Sequence, residues 1–231
     1  MREVTLIFIL FFLFSSCEKE DIGNVLFIDS RDGNVYRTVI IGDQEWMAED
    51  LKFLPTVTDP DNGSRTIPYY YVYDYIGIDV IAARKTNNYK TYGVLYNWSA
   101  ALTACPSGWH LPSENEWIEL IDYLGGKEVA GNKLKEKGNV YWKRLPKTEA
   151  NNESGFTALP GGCRTYRGEF MYLSDYVLWW STKEGYEVSD KGEKYPAWTI
   201  SVESWGGRVY NLYYDKDLGV SVRCLKDKFI Y

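Results

Sequence analysis

Cys105-Pro106-Ser107-Gly108-Trp109-His110-Leu111-Pro112-Ser113-Glu114-Asn115-Glu116-Trp117 is the stretch that divides the chain. Its two prolines and its glycine break any helix that enters it. Ser113 with Glu116 then has the capping-box spacing: the hydroxyl accepts from the backbone N–H of the third helical residue, and the carboxylate reaches back to the cap. A helix is therefore expected from residue 114. Trp117, Leu120, Ile121 and Leu124 fall three and four apart on its buried stripe, and Gly125-Gly126 ends it in a conformation that glycine tolerates.

Upstream, Leu95, Trp98 and Leu102 have the same spacing, which predicts a first helix over about residues 92–102. Residues 55–88 carry turn signals, prolines and the run Tyr69-Tyr70-Tyr71-Val72-Tyr73-Asp74-Tyr75, and read as a long surface insertion of loops with a short edge strand. Phe27 to Ile41 reads as strand, Asp-Gly turn and return strand, with a further turn at Gly42-Asp43-Gln44 before Trp46. Downstream of Gly131, glycine-punctuated segments alternate in polarity, notably 197–202, 208–214 and 219–224, as antiparallel strands with one buried face do. Sheet, two helices and sheet again make an α+β domain with long loops.

The start of the chain is read as a leader. Arg2 precedes an apolar run, Thr5 to Phe14, too short to span a bilayer, and the run ends in Phe14-Ser15-Ser16-Cys17. Small residues before a cysteine resemble the bacterial lipobox. Residues 1–16 are then a lipoprotein signal peptide, Cys17 the site of lipid attachment, and 17–26 a tether for a domain over 27–231. Glu18-Lys19-Glu20-Asp21 is similar to the charged export signal of Bacteroidetes surface lipoproteins, which implies an outer membrane protein displayed at the cell surface.

Twenty-six basic and thirty-two acidic residues give a net charge of −6, with no basic cluster, so nucleic acid is not an expected partner. Nine Trp and twenty Tyr mark a folded domain or a recognition surface. With Cys17 lipidated, Cys105, Cys163 and Cys224 remain, which an exported chain would use as one disulfide and one leftover thiol. Their spacing fits no zinc site, and spacing alone does not choose the pair.

Several stretches together resemble the Fibrobacter succinogenes major paralogous domain. These are Asp32 to Tyr36 with Gly42 to Leu51, Tyr96-Asn97-Trp98, Cys105 to Pro112, Asn152 to Phe156 with Leu159-Pro160-Gly161-Gly162, Trp179-Trp180-Ser181, and Val222-Arg223-Cys224. They occur in order across about residues 29 to 227. That family is similar in architecture to C-type lectin-like domains and the formylglycine-generating enzymes, which implies two helices, twisted antiparallel sheets and chain ends that come together. The resemblance also implies a disulfide between Cys105 and Cys224, with Cys163 free.

No constellation for chemistry stands out. Oxidase chemistry of the formylglycine-generating type needs two reactive cysteines near the end of the fold, and only Cys224 is there. His110 is the sole histidine and reads as a hydrogen-bonded structural residue; Glu114 with Glu116 could flank a glycosidic bond, but the cap already explains Glu116. Calcium-lectin motifs are missing, and Asp215-Lys216-Asp217 reads as a hairpin loop, so neither a metal nor a cofactor is expected. By the family architecture a binding face would draw on Tyr166, Arg167, Trp180, Trp198, Trp205, Arg208, Tyr210 and Tyr213, rings and guanidinium groups suited to sugars or protein hot spots. Trp205, beside Gly206-Gly207, is the most exposed candidate. The expectation is a non-enzymatic binding or adhesion module for an extracellular glycan or protein, with a structural envelope component or an enzyme on the same fold as the alternatives.

Overall fold

The computed structural model describes residues 25–143, 150–189, 192–194 and 196–228; the expected leader and Cys17 lie outside them. The chain runs through β1 (Val25–Ile28), β2 (Val35–Ile41), β3 (Gln44–Met47), β4 (Tyr70–Tyr71), α1 (Val80–Lys85), α2 (Asn87–Tyr92), β5 (Leu95–Tyr96), α3 (Trp98–Ala101) and β6 (Trp109–His110). It continues through α4 (Glu114–Tyr123), α5 (Ala130–Leu134), β7 (Gly161–Arg164), β8 (Phe170–Leu173), β9 (Tyr176–Glu184), β10 (Glu187–Ser189), β11 (Gly192–Lys194), β12 (Ala197–Glu203), β13 (Val209–Tyr214) and β14 (Leu225–Lys226).

Two curled five-stranded sheets dominate, ordered β1-β2-β3-β14-β6 and β13-β12-β9-β7-β8; β4 with β5 and β10 with β11 make two small ribbons. Within the five-stranded sheets β7 and β9 are parallel, paired at Gly162 and Val177, and the other neighbours are antiparallel. The last strand, β14, inserts between β3 and β6, so the end of the chain completes the sheet that its beginning starts.

Among the described residues the fold is thus mostly β, with five short helices where two were expected. The expected capping box at α4 is present in both directions, Glu116 N–H to Ser113 Oγ and Ser113 N–H to the Glu116 carboxylate at 2.7 Å. The helix expected over 92–102 breaks into the end of α2, β5 and the single turn α3. Gly93 is the cause: it holds φ at +77°, and a Cβ there would lie 2.6 Å from the Leu51 carbonyl. Leu95 and Trp98 are buried as expected, but Leu102 is exposed. The 55–88 stretch holds the expected short strand, β4, and in addition α1, capped by Asp79, and the start of α2, capped by Thr86, where loops were expected.

Successive side chains of a strand point to opposite faces, and β9 uses both. Trp179 enters a core with Trp46, Trp117, Trp142, Phe156, Trp198 and Ile200, while Trp180 enters another with Tyr36, Met47, Leu51, Tyr96, Trp98 and Trp109. The neighbouring β12 is buried along its whole length, so the single buried face expected for it becomes two. Cys105 and Cys224 are bonded and close a loop of sequence separation 119. Cys163 is the free, buried thiol, and burial pushes its pKa up to about 12.

Candidate functional site

The stretches that carry the family resemblance converge inside the molecule. Trp46 packs on Trp117 at 4.7 Å and on Phe156 at 5.6 Å, and Trp179 stacks on Trp117 and meets Phe156 edge-on, each at 5.6 Å. Through this cluster runs a buried ion pair. Arg223 donates from Nε to Asp50 Oδ1 at 2.8 Å and from Nη1 to the carbonyls of Met47 and Phe156, with its guanidinium 4.2 Å over the Phe156 ring. Trp179 Nε1 donates to the same Asp50 oxygen at 2.7 Å. Most of the signature is thus architectural.

The eight residues expected to form one face separate into three groups. Trp180 and Trp198, 0% and 1% exposed, are core residues on β9 and β12, which corrects their assignment to a binding face. A strand covered on both sides leaves neither set of rings to solvent. Tyr166 and Arg167 lie in the β7–β8 turn, and Tyr213 near the end of β13, all at the end of the sheet away from Trp205. Arg208 and Tyr210 stay with Trp205 at the β12–β13 turn, where Tyr210 donates to Glu203 Oε1 at 2.8 Å and the Arg208 guanidinium lies 5.4 Å from the Tyr210 ring.

Trp205 is 44% exposed, and the other eight tryptophans are buried. Its ring meets Tyr176 edge-on at 4.9 Å, and Tyr176 meets Tyr172 the same way at 5.2 Å, so three rings form a continuous row. The row is held from below. Lys135, the fully buried residue that follows α5, donates to the carbonyls of Glu203 and Gly206, and burial draws its pKa down to about 8. Gly131 N–H donates to Gly207 O at 2.8 Å, so close an approach that a Cβ on Gly131 would lie 2.7 Å from that oxygen. Tyr172 has a φ of +66°, which a bulky side chain adopts only where the surroundings impose it. Sequence reasoning found Trp205 from its glycine neighbours but missed Tyr172, whose positive φ carries no local signal, and Tyr176, an ordinary strand tyrosine.

A family model, the Fibrobacter succinogenes major domain, matches residues 39–226. The chain belongs to the Fibrobacter succinogenes major domain family. No curated protein and no solved structure matches it.

In this family member the candidate acid-base groups are engaged with one another. His110 is held between Asp227 Oδ1 at 2.7 Å and Glu116 Oε1 at 2.9 Å, tying the segment after β14 to the start of α4. Glu114 pairs with Lys183, and Asp215 pairs with Arg65. Among the described residues no three His, Cys, Asp or Glu side chains come together as a metal site would require.

The hydrogen bond to Glu116, against a smaller opposing effect of burial, raises the His110 pKa, and Asp227 adds to the rise. Burial alone would raise Glu116, but its bonds to His110 and to the Ser113 backbone and hydroxyl bring it down to about 2. The histidine's share of stability is whole below its ordinary value of about 6.5 and is lost as pH rises through the raised folded value. The share from Glu116 is whole above the ordinary carboxylate range and is lost as pH falls towards about 2. The latch is therefore strongest between about pH 4.5 and 6.5. Melting temperatures across pH are expected to peak there, and His110→Gln to flatten the alkaline side; an unchanged profile would remove the latch from the account.

Proposed function

We propose that this chain is a non-enzymatic binding module, anchored through a lipid on Cys17 and displayed at the outer surface of the cell, whose ligand is a glycan. The observation that carries the binding reading is the row Tyr172, Tyr176 and Trp205: the exposed Tyr172 and Trp205 rings both meet the half-buried Tyr176 ring edge-on, and the Lys135 and Gly131 ties hold the backbone around Trp205. A rigid row loses little conformational entropy on binding, and flat rings offer stacking surface to the C–H faces of sugar rings. Glu203, Tyr210 and Arg208 at its margin supply the hydrogen-bonding groups that orient such a ligand. The lipobox-like Phe14-Ser15-Ser16-Cys17 and the charges after it support anchoring and display. Among the described residues no helix is long and apolar enough to cross a membrane.

A glycan array probed with the full chain, repeated with Trp205→Ala and Tyr172→Ala, tests the row. Each truncation is expected to weaken binding about tenfold, the equivalent of about 1.4 kcal/mol. Retained affinity in both would remove the row as the binding face, and a bare array with capture of a purified surface protein would replace glycan by protein. On cells, Cys17→Ala is expected to abolish fatty-acid labelling; continued labelling would refute the anchor.

A further inference from the structure

A recess of about 310 Å³ is walled by Arg37 of β2, by Glu49, Asp50 and Arg223 next to β3 and β14, and by loop residues that include Tyr141, Asn152 and Thr157. Its chemistry differs from that of the row. Asp50 borders it with one carboxylate oxygen fully used, since Oδ1 takes the donors of Trp179 and Arg223. The other oxygen, Oδ2, is buried and, among the described residues, has no hydrogen-bond partner. A buried charged acceptor without a donor is a rare and costly feature of a folded protein, and it calls for something that supplies the donor.

The opposite wall is strained. Asn152 and Thr157 hold φ at +51° and +55°, and Thr157 is β-branched, which makes it an outlier in that region. They lock each other: Thr157 N–H donates to Asn152 Oδ1 at 2.9 Å, and Asn152 Nδ2 donates to Thr157 Oγ1 at 3.0 Å. Backbone held this way is fixed in advance of any ligand, and such strain concentrates at binding sites.

Charge narrows the ligand. The recess holds the guanidinium groups of Arg37 and Arg223 and the carboxylates of Glu49, Asp50 and Glu136. Arg37 spends its backbone N–H and its Nε on Glu49, at 2.9 and 2.6 Å, and its terminal nitrogens have no bond among the described residues. An anion would meet three carboxylates, and a cation would meet two guanidinium groups. A neutral ligand rich in hydroxyls meets neither penalty, because each hydroxyl both donates, to Asp50 Oδ2 and Glu136, and accepts, from Arg37. Leu159 and the Tyr141 ring add apolar surface for its C–H groups. The volume is at the small end of the range for ligand pockets, which suits a unit the size of a sugar ring.

The recess and the row are joined. Tyr141 meets Tyr92 edge-on at 6.4 Å, and the Tyr92 hydroxyl is hydrogen-bonded to Ser174, in the turn between Tyr172 and Tyr176. We propose that the recess is a second binding site, which receives one saccharide unit of a glycan whose neighbouring units lie along the aromatic row. This rests on the reading of the domain as a glycan-binding module, and it adds a site made of different residues.

The test is titration of the full chain with glucose, galactose, mannose and N-acetylglucosamine, and with the best oligosaccharide from the array, followed by NMR and calorimetry. At least one monosaccharide is expected to shift the backbone amides of Asn152 and Thr157 at millimolar concentration. Glu136→Ala, which removes a partly exposed carboxylate without breaking a bond of the fold, is expected to weaken that binding at least fivefold with an unchanged melting temperature. Trp205→Ala is expected to leave monosaccharide binding intact while weakening the oligosaccharide. If an oligosaccharide binds and loses affinity in Trp205→Ala alone, with the recess amides unmoved, the recess proposal is overturned and the binding module stands. If sodium acetate or ethylamine shifts those amides and the sugars do not, the ligand class is wrong. If nothing on the array binds, the glycan reading fails with it.

Discussion

Arg223→Met is expected to lower the free energy of unfolding by about 3–5 kcal/mol, a large part of what a domain of this kind possesses. The arginine side chain is 1% exposed and that of Asp50 4%, so neither charge has water to fall back on. Methionine fills most of the volume but provides no donor. Asp50 would then keep only the Trp179 indole N–H, and the carbonyls of Met47 and Phe156 would lose their partner. Adding Asp50→Leu to the variant removes the stranded carboxylate and is expected to recover more than half of the loss, because replacing both members of a buried pair by apolar groups is often close to neutral. Urea unfolding of the three proteins measures both effects. A single variant within about 1 kcal/mol of the parent would show that the buried pair contributes little to stability.

Breaking the Cys105–Cys224 bond is expected to have an effect of similar size by another route. The bond closes a loop of sequence separation 119, and the chain-entropy account gives about 4–5 kcal/mol for a loop of that length. It also fastens the segment before α4 to the residue that precedes β14. The double variant Cys105→Ala with Cys224→Ala should therefore unfold at a much lower urea concentration, as should the parent in excess reductant. In the folded protein Cys163 is buried with its thiol pKa at about 12, so almost none of it is thiolate at neutral pH; a Cys163→Ala background removes it from the unfolded state as well. A midpoint that reductant leaves unmoved would contradict the assignment of stability to this bond.

What could be read from the sequence was what is encoded locally. The α4 start needed only Ser113 and Glu116, and the β1–β2 hairpin only its Asp32-Gly33 turn between apolar runs. Trp205 was legible because two glycines follow it. The pairing of Cys105 with Cys224 came from the resemblance, since spacing could not choose among three cysteines. Trp180 and Trp198 were misplaced for a physical reason: alternation along a strand separates its two faces but does not say whether the second face is covered. Short helices also escaped. Asp79 and Thr86 are ordinary caps, but each precedes six residues only, too few to show a periodic stripe. The recess had no signal at all, because Asp50 and Arg223 lie 173 residues apart and nothing local marks them as a pair.

The adjacent rings of Trp179 and Trp180 also bear on how such a domain can change over generations. β9 is a wall shared by two cores, and one residue inserted into it would exchange the destinations of both rings and spoil both sides together. The two halves are for that reason inseparable, with no seam at which the chain could be cut into parts that fold alone. Insertions are tolerable only outside this wall, in turns such as the one between β8 and β9 and the one that carries Trp205. A lineage of such domains is free to vary its contact surface while its interior stays locked.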